Sequence, residues 1–363
     1  NLARISLSAS QPIIDYYDDV YLADIGLGTP YQNFSLLVDT GSSNLWVIDS
    51  ACSTQSCRGY PQSGYTKHQF NKHLGGGGGV IMLIFKITVF RASSTFVKTT
   101  QSFTISYSSG YTSGNIAYDV LNLAGLTYAN QGLGVASVVA DAFGQQPLDG
   151  VLGLGWPSLA VDNIVPPIQN LLDQLDEPLF TIWLDRHVRP VEDKIGGLIT
   201  YGALDPVHCD THVSYITLSS KTYWQFPMTQ FSIGSFSVNN KVDVISDTGS
   251  SWIGAPSAAI NAIVQATGAR YDSLNELYTV PCAGFYPDMF FTIGGAAFNV
   301  PATEYVIDLE LNNGYCALTV YNVQGGGFGP SWILGDTWIR TFCNVYDVGQ
   351  GRIGFARAYH SEV

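Results

Sequence analysis

The pentapeptide Asp-Thr-Gly-Ser-Ser occurs twice in this chain, at residues 39–43 and again at 247–251, each time closing an apolar run. A single copy describes an ordinary turn. Two identical copies far apart in one chain imply two similar lobes, each presenting the same loop. The approach residues (Phe34, Leu36, Leu37 and Val38; Val242, Val244 and Ile245) are β-rich and apolar, so each Asp is expected just past a buried strand.

The residue types around each Asp suit one kind of chemistry. Gly41 and Gly249 let the chain turn sharply and bring backbone N–H groups toward the carboxylate. Thr40 and Thr248 combine a hydroxyl with a stiff stem, suited to locking two loops together. Ser42 and Ser250 can donate to the outer carboxylate oxygens and favour the ionised form. Two carboxylates in contact share one proton, so one can take a proton from water while the other polarises a peptide carbonyl.

The run from Val38 to Val47, Val-Asp-Thr-Gly-Ser-Ser-Asn-Leu-Trp-Val, resembles the first active-site motif of the pepsin-like (family A1) aspartic endopeptidases. Phe103 to Gly110, followed by Gly114, resembles that family's flap hairpin. Residues 149–155 and 332–336 resemble its two hydrophobic-Gly strands. The resemblance implies an all-β, bilobal fold of two pseudo-symmetric β-barrel-like lobes with a central cleft and few short helices. It implies that Asp39 and Asp247 are the catalytic pair, supported by Thr40, Gly41, Ser42, Thr248, Gly249 and Ser250. Tyr107, with Ser108 and Ser109, would close over substrate, and Trp46 would hydrogen-bond the tyrosine. Leu148, Val151 and Leu154 are expected to line or support apolar subsites, with plain core packing as the alternative. The implied activity is cofactor-free hydrolysis of protein or peptide substrates between apolar residues at acidic pH, sensitive to pepstatin-type inhibitors. The alternative is a catalytically impaired pepsin-fold protein that binds peptides.

Six cysteines point to three disulfides and an oxidising compartment. The resemblance pairs Cys52 with Cys57 and Cys282 with Cys316. That leaves Cys209 and Cys343, which are expected to pair. His208, Cys209 and His212 lie close in sequence, but no fourth ligand is suitably spaced, and no metal is expected. Asn33-Phe34-Ser35 is a glycosylation sequon.

The formal net charge is −13 with only 12% charged residues, so the basic footprint of a nucleic-acid binder is absent. Scarce Lys and Arg limit charge build-up in acid. No apolar run is long enough to span a membrane. A monomer is expected, secreted or lysosomal. Family members are made with a basic pro-segment, of which residues 1–10 are read as a remnant.

Short strands punctuated by Gly, Ser, Asn and Pro place an N-terminal lobe over 13–203 and a C-terminal lobe over 204–363. Helices are expected after Pro166-Pro167, with Ile168, Leu171, Leu172 and Leu175 on one face, and after Pro256, ending at Gly268. Residues 72–91 interrupt the resemblance. They carry five consecutive glycines and an apolar stretch whose periodicity assigns neither helix nor strand. The segment reads as a translated intron, with a genuine insertion as the alternative.

Overall fold

The structure is a computed structural model that describes residues 8–71, 80–83, 86–89, 92–187, 191–311, 314–323 and 330–360. The first helix of the sequence reading falls at Pro167–Leu171 and the second at Ser257–Thr267, the latter stopped by Gly268 in the left-handed conformation. The rest is mostly strand, in an all-β pepsin-like fold.

The chain divides into two compact units, Leu22–Gln174 and Ser6–Tyr21 with Leu175–Val363. The division departs from the 203/204 boundary drawn from the sequence, and strand pairing explains why. The N-terminal strand Ala9–Tyr16 pairs with Glu192–Tyr201, and Leu179–Leu184 pairs with the C-terminal strand Phe342–Asp347. These ladders tie both segments to the C-terminal half.

In the first unit the strand order runs from Val20–Leu27 through Gln32–Asp39, Gly150–Gly153, Leu45–Ile48, Leu126–Val139 and Gly110–Leu123 to Val97–Tyr107. Ile25–Leu27 also pairs with Leu121–Leu123, which closes the ladder on itself and leaves no free edge there. Gln32–Asp39 alternates inward Phe34, Leu36 and Val38 with residues that are more exposed, as a half-buried strand must. Its last residue is Asp39.

In the second unit a sheet of order Ala296–Val300, Met289–Ile293, Trp224–Ile233, Phe236–Ser246, Trp332–Leu334, Ile253–Ala255 and Val320–Asn322 carries the second copy of the repeat. Asp247 follows the last residue of Phe236–Ser246. Phe231, Phe291, Phe298, Trp338 and Phe355 form the aromatic core beneath this sheet.

Disulfides join Cys52 to Cys57, Cys282 to Cys316 and Cys209 to Cys343. The sulfur of Cys209 is thereby consumed. His208 stacks on Trp183 at 4.0 Å and bonds Asp205, so the three close residues do not form a metal cluster. Within 72–91, Val80–Leu83 pairs antiparallel with Lys86–Val89, and these strands pair with no other strand among the described residues. The rest of that segment and most of 1–10 lie outside the described residues. Among the described residues, no helix is long and apolar enough to cross a membrane.

Candidate active site

Each repeat is built the same way. In the first unit, Gly150–Gly153 runs parallel to Gln32–Asp39 and antiparallel to Leu45–Ile48, threading between the strands that enter and leave the loop. In the second, Trp332–Leu334 takes the same place between Phe236–Ser246 and Ile253–Ala255. The register sets Gly153 opposite Asp39, and continuing it sets Gly335 opposite Asp247. A Cβ at Gly153 would lie 2.5 Å from the Asn44 nitrogen, and one at Gly335 would lie 2.0 Å from the Ser250 carbonyl oxygen. Only glycine lets the threading strand approach this closely.

The carboxylates are held by matching donors. The Gly41 N–H donates to Asp39 Oδ1 at 2.9 Å, and the Ser42 hydroxyl donates to Oδ2. The Gly249 N–H donates to Asp247 Oδ1 at 2.9 Å, and the Ser250 hydroxyl donates to Oδ2 at 2.8 Å. Donation of this kind favours the ionised carboxylate. Asp39 is 5% exposed and Asp247 is half-buried. Thr40 and Thr248 are both buried.

The hairpin Val97–Tyr107 with Gly110–Leu123 carries Tyr107 at its tip, where Ser108 and Ser109 are exposed. Trp46 Nε1–H donates to the Tyr107 hydroxyl at 2.8 Å, the contact expected from the sequence. Leu148, Val151 and Leu154 are fully buried, so they pack as core and do not line an open surface. Asn33 is exposed, in the strand Gln32–Asp39.

Sequence reasoning passed over Phe143. Its ring meets Tyr107 edge-on at 5.4 Å and Trp46 at 5.8 Å. The short helix Asp141–Gln145 that carries it is fastened by Lys67, whose buried ammonium donates to the carbonyls of Phe143, Gln146 and Leu148. Burial pushes the Lys67 ammonium down to about 8. No local pattern marks Phe143 or Lys67, because both act through contacts distant in sequence. Tyr321 was also missed. It pairs in register with Gly254.

This arrangement is that of an aspartic-type hydrolase, and the comparisons agree. The eukaryotic aspartyl protease family profile matches residues 20–72 and 86–358. Aspartic protease 1 of Caenorhabditis elegans is 54% identical over 96% of this chain and 85% of its own length. Aspartic protease 17 of the same organism is 47% identical over 99% and 88%. Human gastricsin is 31% identical over 97% and 85%. The chain belongs to the eukaryotic aspartyl protease family. It is an aspartic-type endopeptidase that acts on protein or peptide substrates. Residues 73–85 fall outside the family match.

Proposed function

We propose that Asp39 and Asp247 form one catalytic pair that hydrolyses peptide bonds at acidic pH, with a preference for apolar residues on either side of the scissile bond. The observation that carries this reading is the identical holding of the two carboxylates, each by a glycine N–H and a serine hydroxyl within its own unit. With one proton shared, the ionised carboxylate takes a proton from water as its oxygen attacks the carbonyl carbon. The protonated one donates to the carbonyl oxygen, giving a tetrahedral diol. The C–N bond then breaks as the amine nitrogen gains a proton, and no covalent enzyme intermediate forms. Thr40 and Thr248 brace the two loops, and Tyr107, with Ser108 and Ser109, covers the substrate.

Three further features support acid operation in a secreted or lysosomal setting: the disulfides, the low Lys and Arg content, and the buried Asp15, whose carboxyl is pushed up to about 8 by burial and by Asp18. Asn33, exposed within its sequon, is the proposed glycan site. The enzyme works as a monomer, since one chain supplies both carboxylates, and pepstatin-type compounds inhibit it.

The test is cleavage of denatured globin across acid pH, with and without pepstatin, by the chain and by Asp39→Asn. Pepstatin-sensitive cleavage lost in the variant supports the pair. A folded chain that binds pepstatin without cleaving is the impaired, peptide-binding protein, and deleting residues 72–91 then asks whether that segment is responsible.

A further inference from the structure

The flap hairpin rests on a short platform. The Ala140 N–H donates to the Tyr111 carbonyl at 3.0 Å, and a Cβ on Gly110 would lie 2.6 Å from Ala140 Cβ and 3.9 Å from Phe143 Cε2. Phe143, only 3% exposed, meets the Tyr107 ring edge-on at 5.4 Å. The helix Asp141–Gln145 therefore lies directly against the turn that carries Tyr107. It is held at both ends from the stretch of chain that follows Cys52. The Ser56 and Tyr60 hydroxyls donate to Asp141 Oδ1 at 2.6 and 2.7 Å. A Cβ on Gly144 would lie 2.6 Å from Ser56 Cα, so helix and loop are in close contact. At the other end the Lys67 ammonium donates to the carbonyls of Phe143 at 2.9 Å, of Gln146, and of Leu148 at 2.7 Å. An ammonium has three N–H donors, and here each finds a carbonyl. A helix C-terminus leaves its last carbonyls without an intrahelical partner and carries partial negative charge, so a cation suits it on both counts. Leu148 leads into the threading strand Gly150–Gly153, whose last residue stands opposite Asp39. One side chain thus ties the platform of the flap to the strand beside the first carboxylate.

We propose that Lys67 is a positioning residue for peptide hydrolysis: by holding the carbonyls of Phe143, Gln146 and Leu148 it fixes the platform on which the flap rests, and with it the place of Tyr107 over the substrate. Tyr107 is located by two groups, the Trp46 N–H at 2.8 Å and the Phe143 ring, and the ring is only as well placed as its helix. A helix of 5 residues has little stability of its own, so its position is set by what fastens it. Burial pushes the Lys67 ammonium down to about 8 against the raising effect of Asp149, so it stays charged throughout the acid range.

This inference rests on the proposed role of Tyr107 over the substrate, and its test separates the two. Cleavage of a peptide with apolar residues on either side of the scissile bond is measured for the full chain, Lys67→Met and Tyr107→Ala. Lys67→Met keeps the apolar stem and removes the donors. It should raise KM about threefold and lower kcat/KM about tenfold, as a misplaced covering group would. Partial unfolding would instead lower the apparent kcat and leave KM unchanged, and that result overturns the proposal. Hydrogen exchange supplies a second reading without turnover. In Lys67→Met the flap amides of residues 103–111 should exchange about fivefold faster, while those of residues 22–27, in the same compact unit, keep the parent's rate. Flap amides that keep the parent's rate, or that gain no more than those of residues 22–27, overturn the proposal. Should Lys67→Met not fold, Lys67→Gln, whose amide keeps two N–H donors, is read in both ways with smaller shifts in the same directions. Should Tyr107→Ala cleave as well as the parent, the covering role of Tyr107 fails on its own, and the exchange rates decide whether Lys67 fixes the platform.

Discussion

The two Asp-Thr-Gly-Ser-Ser loops share their inner ring of donors and their threading glycines and differ in the side chains packed behind them. Asp39 is preceded by the buried Val38, and the strand leaving its loop brings in the fully buried Trp46. Asp247 is preceded by the buried Ser246, whose hydroxyl donates to Asn344 Oδ1 at 2.8 Å and lies 2.9 Å from the Tyr346 hydroxyl, and its outgoing strand carries Gly254. The backbone and the carboxylate donors are fixed by the chemistry that both loops must present. The layer behind is free to be solved twice, once with an indole and once with a phenol laid over a glycine. A duplicated site therefore keeps its symmetry only as deep as the reaction requires.

The hardest test of that equivalence removes one charge from each loop. Asp39→Asn and Asp247→Asn should each lower kcat by about 10²–10⁴-fold, the range for loss of a positioned acid or base. Their thermal transitions should stay close to the parent's. If one variant retains most of its activity, the loops are unequal partners despite their matching donors.

The units should also differ in their response to pH. In the first, His68 bonds Asp149 at 2.9 Å with its side chain 60% exposed, so solvent screens the pair and its contribution is small. In the second, His187 is 14% exposed, 3.0 Å from Asp15 and 3.6 Å from Asp18. Hydrogen bonding to Asp18 raises the His187 imidazole against the opposing effect of burial. Asp15 is raised to about 8 by burial first and by Asp18 second. Between about pH 4, where an unfolded Asp releases its proton, and about 8, the folded state holds the extra proton. Stability must therefore fall as pH rises through that window, and the raised His187 adds loss in the same direction. Urea midpoints measured from pH 5 to pH 8 should drop in the parent and flatten in Asp15→Asn. A parent profile that is flat or rising would mean that the cluster does not carry the linkage.

Exchanging the outer layers tests whether each solution is specific to its loop. Trp46→Ala removes a fully buried indole and should cost about 3–5 kcal/mol, with KM raised as Tyr107 loses its donor. Gly254→Ala works by the opposite route. Its new methyl meets the Tyr321 ring and Val323 at under 3 Å and should cost about 1–3 kcal/mol by overpacking. Denaturant titration that ranks the two the other way round would show that the phenol yields more readily than its packing implies.

Legibility in the sequence followed the same division of layers. The repeat itself could be read from its residue types, and the Trp46–Tyr107 contact and the glycine-bearing strands from their resemblance to the family's short motifs. Phe143, Lys67 and Tyr321 could not, since each matters through a partner far away along the chain and none has a distinctive neighbourhood. The division of the chain after Gln174 likewise has a non-local cause. Strand Ala9–Tyr16 pairs with Glu192–Tyr201, a ladder that local composition does not announce. Leu148 and Val151, which the resemblance set in or beneath apolar subsites or in the core, are fully buried, and only their long-range packing decides between those roles.

The smallest effect concerns the residue just before each Asp, and its sign separates packing from hydrogen bonding. Ser246→Val copies the first loop into the second. It leaves Asn344 Oδ1 and the Tyr346 hydroxyl without their serine partner in a fully buried setting, and should cost about 1–3 kcal/mol. Asn344 remains partly satisfied because its amide also donates to the Phe342 carbonyl at 2.8 Å, which places the cost toward the low end. The reverse exchange, Val38→Ser, places a hydroxyl at a position only 1% exposed and should cost a similar amount. If the double exchange costs the sum of the two singles, the two layers are independent. A double cost that departs from the sum by more than about 0.5 kcal/mol would mean that the loops communicate through the carboxylates they hold.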